Sequence, residues 1–343
     1  MSVKIWFRNG AAGLLYRVGL TAPTWRGRGR LTIVTFHRVL SEAERRAYPY
    51  PGLVVTPTEL DALLHFFTDH FDCGSLAVQH KRYLSGDISV RPLLALTFDD
   101  APHDNYRNAR PMLARHQVKA TFFAPVVAVE RQEYLWPDRL GFAILALMRQ
   151  GQGGREQVMR ILTAAGLPAA GACRLVESVV QDSKKLPREA RLRLVEALVE
   201  ASGRIRWPEF ARPMTLDELA ELAGEGHEIG SHSMTHCMMP ECDDRELGYE
   251  LSESRHILQS RLAQPIESFC YPNGDYDVRT AKAVAEAGYR RAVTTGWGHN
   301  DQRTDPFRLC RFDMDVTRVC DSNGNLLPAV LALRMSGLYP GLG

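Results

Sequence analysis

The sequence predicts an α/β fold: parallel strands, each followed by a helix, curled into a distorted (β/α) barrel with a helical insertion. Three observations predict it. Short apolar runs alternate with amphipathic stretches of helical spacing, joined by short connections, which is the rhythm of parallel strands covered by helices. Several of these runs stop abruptly at charged residues instead of solvated turns, as strands do when their C-terminal ends line a site. The 343 residues leave room for two average domains or one α/β barrel, and 45% apolar with 24% charged residues is the composition of a packed globular chain.

Residues 1–30 place Val3, Trp6, Phe7, Leu14, Leu15 and Val18 at helical spacing among Lys4, Arg8 and Arg17, with Arg26, Arg28 and Arg30 following. Such a basic amphipathic segment suits peripheral contact with an anionic membrane face, while Gly10 and Gly13 weaken it as a helix and favour packing on the domain. The barrel is expected over 31–320. Its first strand, 31–36, ends at His37. Thr56 and Thr58 open a helix over 59–70 that buries Leu60, Leu63, Leu64, Phe66 and Phe67. The strand 93–98 delivers Asp99 and Asp100; a helix over 104–116 and a strand over 119–125 follow. The rhythm breaks at 130–213, where four successive helices (135–149, 155–165, 170–181, 188–202) form an insertion expected to wall the groove at the strand ends. Alternation then returns: helix 216–223, strand 227–231, helix 245–262, strand 266–271, helix 278–287, strand 291–295, and an extended stretch 307–316 that closes the sheet. Residues 321–343 read as a tail.

The formal net charge of +2 gives no reason to expect nucleic-acid binding. Seven cysteines, Cys73, Cys173, Cys237, Cys242, Cys270, Cys310 and Cys320, form no CxxC pair and favour free thiols in a reducing compartment. Cys237 and Cys242 lie near two histidines but read better as buried small apolar residues. With no secretory signal and no run of about twenty apolar residues, the expected location is cytoplasmic or peripheral at the inner face of the membrane.

Two adjacent carboxylates, Asp99 and Asp100, repel each other and lose hydration energy unless a cation or a proton lies between them. Downstream, His232 and His236 face one point if the segment after Ser231 turns into a helix. One carboxylate with two imidazoles makes a three-ligand metal site with open positions for water and substrate.

Thr97-Phe-Asp-Asp100, the His-Ser-x-x-His pattern at 232–236 and Phe269-Cys-Tyr-Pro-Asn-Gly274 occur in that order, and in them the chain resembles the polysaccharide deacetylases of carbohydrate esterase family 4, which share the NodB homology domain. The resemblance covers 31–127 and 214–316. It implies a barrel of the NodB-homology type acting on an N-acetylated glycan, with Asp99 as general base and Asp100, His232 and His236 holding a divalent metal ion of the Zn2+ type. It also implies that the backbone N–H of Asn273 helps to bind the oxyanion, with Gly274 allowing the tight turn. Two departures stand out: the arginine that many members carry at the start of the third motif is absent, and no Leu-x-His near the C-terminus supplies the usual general acid. Arg308-Leu-Cys-Arg-Phe312 occupies that region. Phe36-His-Arg-Val39 resembles the early motif of the branch acting on poly-N-acetylglucosamine, which makes His37 the candidate acid, expected across the substrate from Asp99.

The expected activity is removal of N-acetyl groups from amino sugars of a bacterial polysaccharide or its lipid-linked precursor. The competing readings are a C–N hydrolase of small non-sugar amides and an inactive barrel that only binds glycan; an unpaired base beside a metal site speaks against the second. His227 and Glu228 read as structural, Trp136 and Trp297 as core before sugar platforms, and His103 and Asp104 as solvated loop residues before groove lining.

Overall fold

In the computed structural model, residues 3–23, 27–86, 90–168, 175–203, 205–321 and 323–338 are described. One eight-stranded, wholly parallel sheet organises them. Its strands are β1 (Leu31–Phe36), β2 (Asp72–Gly74), β3 (Leu93–Phe98), β4 (Thr121–Ala124), β5 (Glu228–Ser231), β6 (Ser268–Cys270), β7 (Arg291–Val293) and β8 (Phe312–Asp313). The order is β8-β1-β3-β4-β5-β6-β7, with β2 beside the first half of β3. β1 and β3 pair along their whole length, Leu31 opposite Leu93 and Phe36 opposite Phe98. The sheet curls until Leu309 bridges to Val293 of β7 while Phe312 pairs with Val34 of β1, so the extended stretch before β8 joins the last strand to the first. β2 has no counterpart in the sequence reading, because three residues are too few to carry an alternation.

The apolar runs of β1 and β3 are buried throughout, as strands covered on both faces must be. Their alternate residues divide cleanly. Val34, Phe36, Leu94, Leu96 and Phe98 join the outer core under the helices, whereas Leu31, Ile33, Leu93 and Ala95 pack with Phe123, Cys270, Val293 and Leu309 inside the barrel. Continuing the inner column of β3 by two residues at a time reaches Thr97 and then Asp99.

Between β4 and β5 lie the helices Trp136–Arg149, Gln152–Ala164, Leu175–Ser183 and Arg188–Ser202. They share a hydrophobic cluster of their own, with Leu140, Ile144, Leu147, Val158, Leu162, Val180, Leu194 and Leu198 meeting Leu40, Tyr48, Tyr50 and Val54 from the segment after β1. Residues 170–174, where the third of these helices was expected to begin, and Cys173 lie outside the described residues. The N-terminal helix Val3–Arg17 packs on the C-terminal helix Pro328–Met335, Ala12 against Val330 and Leu333, and leaves Leu14 and Val18 exposed. Among the described residues, no helix is long and apolar enough to cross a membrane.

Candidate active site

Because every strand runs the same way, His37, Asp99, Asp100, His232 and Tyr271 all follow C-terminal strand ends on one face. After β3 the chain turns sharply, Asp100 and Ala101 both taking the left-handed conformation (φ 69° and 46°). The Asp100 Oδ1 atom then lies 3.3 Å from His232 Nε2 and 3.2 Å from His236 Nε2.

The two imidazoles do not converge through a helix, as expected from their spacing. Residues 232–238 form a loop in which Ser233 and His236 adopt φ 67° and 57°. The loop is staked from beneath by Glu250, which is buried and accepts from the backbone N–H groups of Met234 and Thr235 (both 2.9 Å) and from the Thr235 hydroxyl (2.6 Å). Ser233 Oγ accepts from the His236 N–H at 3.0 Å. Donation from His232 Nδ1–H to the Cys270 carbonyl (2.7 Å) leaves its Nε2 lone pair toward Asp100.

These three donors fit a divalent ion. Ligands about 2 Å from a tetrahedral zinc-type centre stand roughly 3.3 Å from one another, the spacing found here from Asp100 to each imidazole. Asp99, His232 and Cys270 also cluster, but both Asp99 oxygens are taken by a guanidinium, which disfavours a second cation there.

That guanidinium belongs to Arg311. It donates from Nη1 to Asp99 Oδ1 and from Nη2 to Asp99 Oδ2, both at 2.8 Å, while Nη1 also reaches Thr35 and Thr97 in the inner columns of β1 and β3. Burial alone would raise the Asp99 carboxyl; the bidentate arginine overrides it and holds the group below the usual carboxylate range. Asp99 is therefore paired, contrary to the expectation of an unpaired carboxylate. The available signal was an arginine flanked directly by apolar residues, Leu309-Cys-Arg-Phe312, since a buried cation requires a carboxylate partner. His37 Nε2 stands 3.9 Å from Asp99 Oδ2, so it lies alongside that carboxylate and not across the substrate from it as expected, because the two residues end neighbouring strands β1 and β3. Asn273 sits in the turn Pro272–Gly274 at φ 61°, with Gly274 at φ 77° tight against Thr295, where a Cβ would come within 2.1 Å.

The other candidates fall elsewhere. Asp104 is neither solvated nor groove-lining: it is fully buried, accepts from Arg38 Nε (2.7 Å) and from the Val39 N–H (2.6 Å), and so fixes the chain just after His37. His103 pairs with Glu218. Trp297 lies edge-on to Phe312 and beneath Arg334, and Trp136 beneath Arg191. Cys237 and Cys242 are buried with sulfurs 3.2 Å apart. His227 and Glu228 lie at the start of β5, away from the loop 232–238, and bond to the Ala120 N–H and to Thr121 and Ser268.

Arg38 also reaches Asp138 of the insertion (3.4 Å), so one buried guanidinium serves two carboxylates. Burial pushes the Asp138 carboxyl up to about 6, with Arg38 offsetting part of the rise. A folded value above the ordinary 3.8 means that this group favours the fold below pH 3.8 and that its contribution is lost as pH rises through about 6. Relative to Asp138→Asn, the wild type is expected to lose on the order of 2 kcal/mol between pH 4 and pH 7 in urea unfolding. Arg38→Met, which strands both carboxylates, is expected to cost about 3 kcal/mol or more at pH 7.

The family model for polysaccharide deacetylases matches residues 89–292, more than half of the chain. The chain belongs to the polysaccharide deacetylase family. A Bacillus subtilis protein named "Putative polysaccharide deacetylase YxkH" is 28% identical over 82 residues, 24% of this chain and 29% of that protein, so the match spans less than a third of the curated relative. In fold, the chain is similar to the Streptococcus pyogenes deacetylase PplD, solved in complex with acetate (TM-score 0.59, 18% identity, 89% of this chain and 98% of that one). It is also similar to BC0361, a polysaccharide deacetylase from Bacillus cereus (TM-score 0.51, 15% identity, 83% of this chain and 65% of that one). The fold is thus the NodB-type (β/α) barrel of these deacetylases.

Proposed function

We propose that this deacetylase is a metal-dependent N-deacetylase, removing acetyl groups from amino sugars of a bacterial polysaccharide or its lipid-linked precursor. One observation carries the reading: a carboxylate and two imidazoles spaced for one divalent ion stand beside a second carboxylate kept ionised by its own arginine. The first set is suited to hold Zn2+ and the second to accept a proton. A bound ion of that type supplies Lewis acidity toward water and the amide carbonyl. The chain supplies the rest. Asp99 removes the proton of the attacking water, and the Asn273 N–H, which no acceptor takes among the described residues, donates to the oxygen that becomes negative. His37, partly exposed beside Asp99, protonates the departing amine. The insertion walls the groove, and the exposed Leu14 and Val18 beside Arg17 offer peripheral contact with an anionic membrane face, where a lipid-linked substrate would lie.

The test is acetate release from a panel of N-acetylated glycans and small amides, with chelated and metal-reloaded protein. Release from glycans only after reloading supports the reading; release from small amides alone replaces it by the non-sugar hydrolase. His37→Ala is expected to keep its metal and to lose about two orders of magnitude in turnover. An undiminished rate in this variant gives the acid role to another group.

A further inference from the structure

We infer that Lys184, carried by the helical insertion, is a positioning residue for the oxyanion-binding turn, holding Asn273 in the conformation that leaves its N–H free for substrate. The inference rests on the deacetylase reading for what the N–H does, but not for what the lysine holds.

Lys184 directly follows the helix Leu175–Ser183, and its ammonium donates to Asn273 Oδ1. At the other end of the same amide, Nδ2 donates to Asp275 Oδ2 at 2.5 Å. The amide is therefore clamped between a cation and a carboxylate, and the chemistry fixes its flip: the oxygen must face the ammonium and the NH2 the carboxylate. Among the described residues, this amide oxygen is the only side-chain acceptor of the ammonium, although the Asp275 and Asp100 carboxylates lie within electrostatic reach.

The clamp acts on a backbone that needs one. Asn273 at φ 61° and Gly274 at φ 77° are consecutive left-handed residues. A residue with a Cβ holds that conformation only where its surroundings over-determine it, asparagine at lower cost than most. The following N–H groups are consumed by the turn, Gly274 to the Tyr271 carbonyl at 2.8 Å and Asp275 to that of Pro272 at 3.3 Å. Only the Asn273 N–H is left over, and its direction depends on the peptide plane that the side-chain clamp secures. A residue of the insertion thus completes a turn belonging to the barrel.

Steady-state kinetics on the best glycan substrate test this. Lys184→Met is expected to lower kcat about tenfold, with KM within about twofold and metal content unchanged, because a misaimed donor weakens the transition state more than the ground state. Lys184→Arg should restore most of the loss. Asn273→Ala keeps the N–H but removes the clamped amide; it should lose as much as Lys184→Met, and the double variant no more than either. An unchanged kcat in Lys184→Met, or a double variant whose loss is the product of the two single losses, overturns the inference. If the wild type releases acetate from no glycan, the deacetylase reading has failed and the clamp is read without turnover. Hydrogen exchange over residues 271–275 should then quicken several-fold in Lys184→Met but not in Lys185→Met, whose exposed side chain pairs with Asp182. Equal exchange in both variants overturns the clamp itself.

Discussion

His236→Ala is expected to strip the protein of its divalent ion and to take deacetylation to background, and Asp100→Ala to do the same. Each removes one of three protein donors, the Asp100 oxygen standing 3.2 to 3.3 Å from both imidazole nitrogens. Two donors are too few to retain a zinc-type ion against dilution or a weak chelator. Elemental analysis after dialysis reads metal content separately from turnover. Full occupancy in His236→Ala would sink the assignment of this cluster.

Asp99→Asn should behave in the opposite way, retaining metal while turnover falls by about two or more orders of magnitude, since an amide of nearly the same shape accepts no proton. Its companion is Arg311→Met. With the guanidinium gone, burial loses its main opponent at the Asp99 carboxyl, only the weaker pull of His37 and His232 remaining, and the pKa rises. The acid limb of the kcat/KM profile should therefore move to higher pH, with activity lost at acidic pH first and partly retained at alkaline pH. Asp99→Asn has no such limb to move. A profile in Arg311→Met that falls uniformly at all pH values would show that the arginine serves packing and not the charge of the base.

The barrel was legible because it rests on local patterns. The runs Leu31–Phe36 and Leu93–Phe98 are apolar at all but the three threonines, as a doubly covered strand requires, and the polar residue that follows each run marks a strand end. The gathering of His37, Asp99, Asp100 and His232 on one face follows from parallel topology. What stayed hidden depends on non-local geometry. The spacing of His232 and His236 suggested a helix; the chain instead uses two left-handed residues and the buried Glu250 carboxylate, drawn from a helix that spacing cannot connect to the loop. Arg311 lies more than two hundred residues from Asp99, and no periodicity links them. The same holds for Asp104, whose partner Arg38 lies 66 residues away in sequence.

Arg311 immediately precedes β8, the strand that pairs with β1 and ends the sheet path. A chain emerging N-terminus first therefore carries Asp99, Asp100, His232 and His236 well before the residue that gives the base its charge. Without that segment, an Asp99 buried beside Thr35, Thr97 and Cys270 would lose its bidentate cation, and burial would push it toward its proton-holding form against only the imidazoles of His37 and His232. The charge of Asp99 is thus a property of the closed sheet and not of the strand that carries it, because the residue that secures it arrives on the segment that joins the last strand to the first.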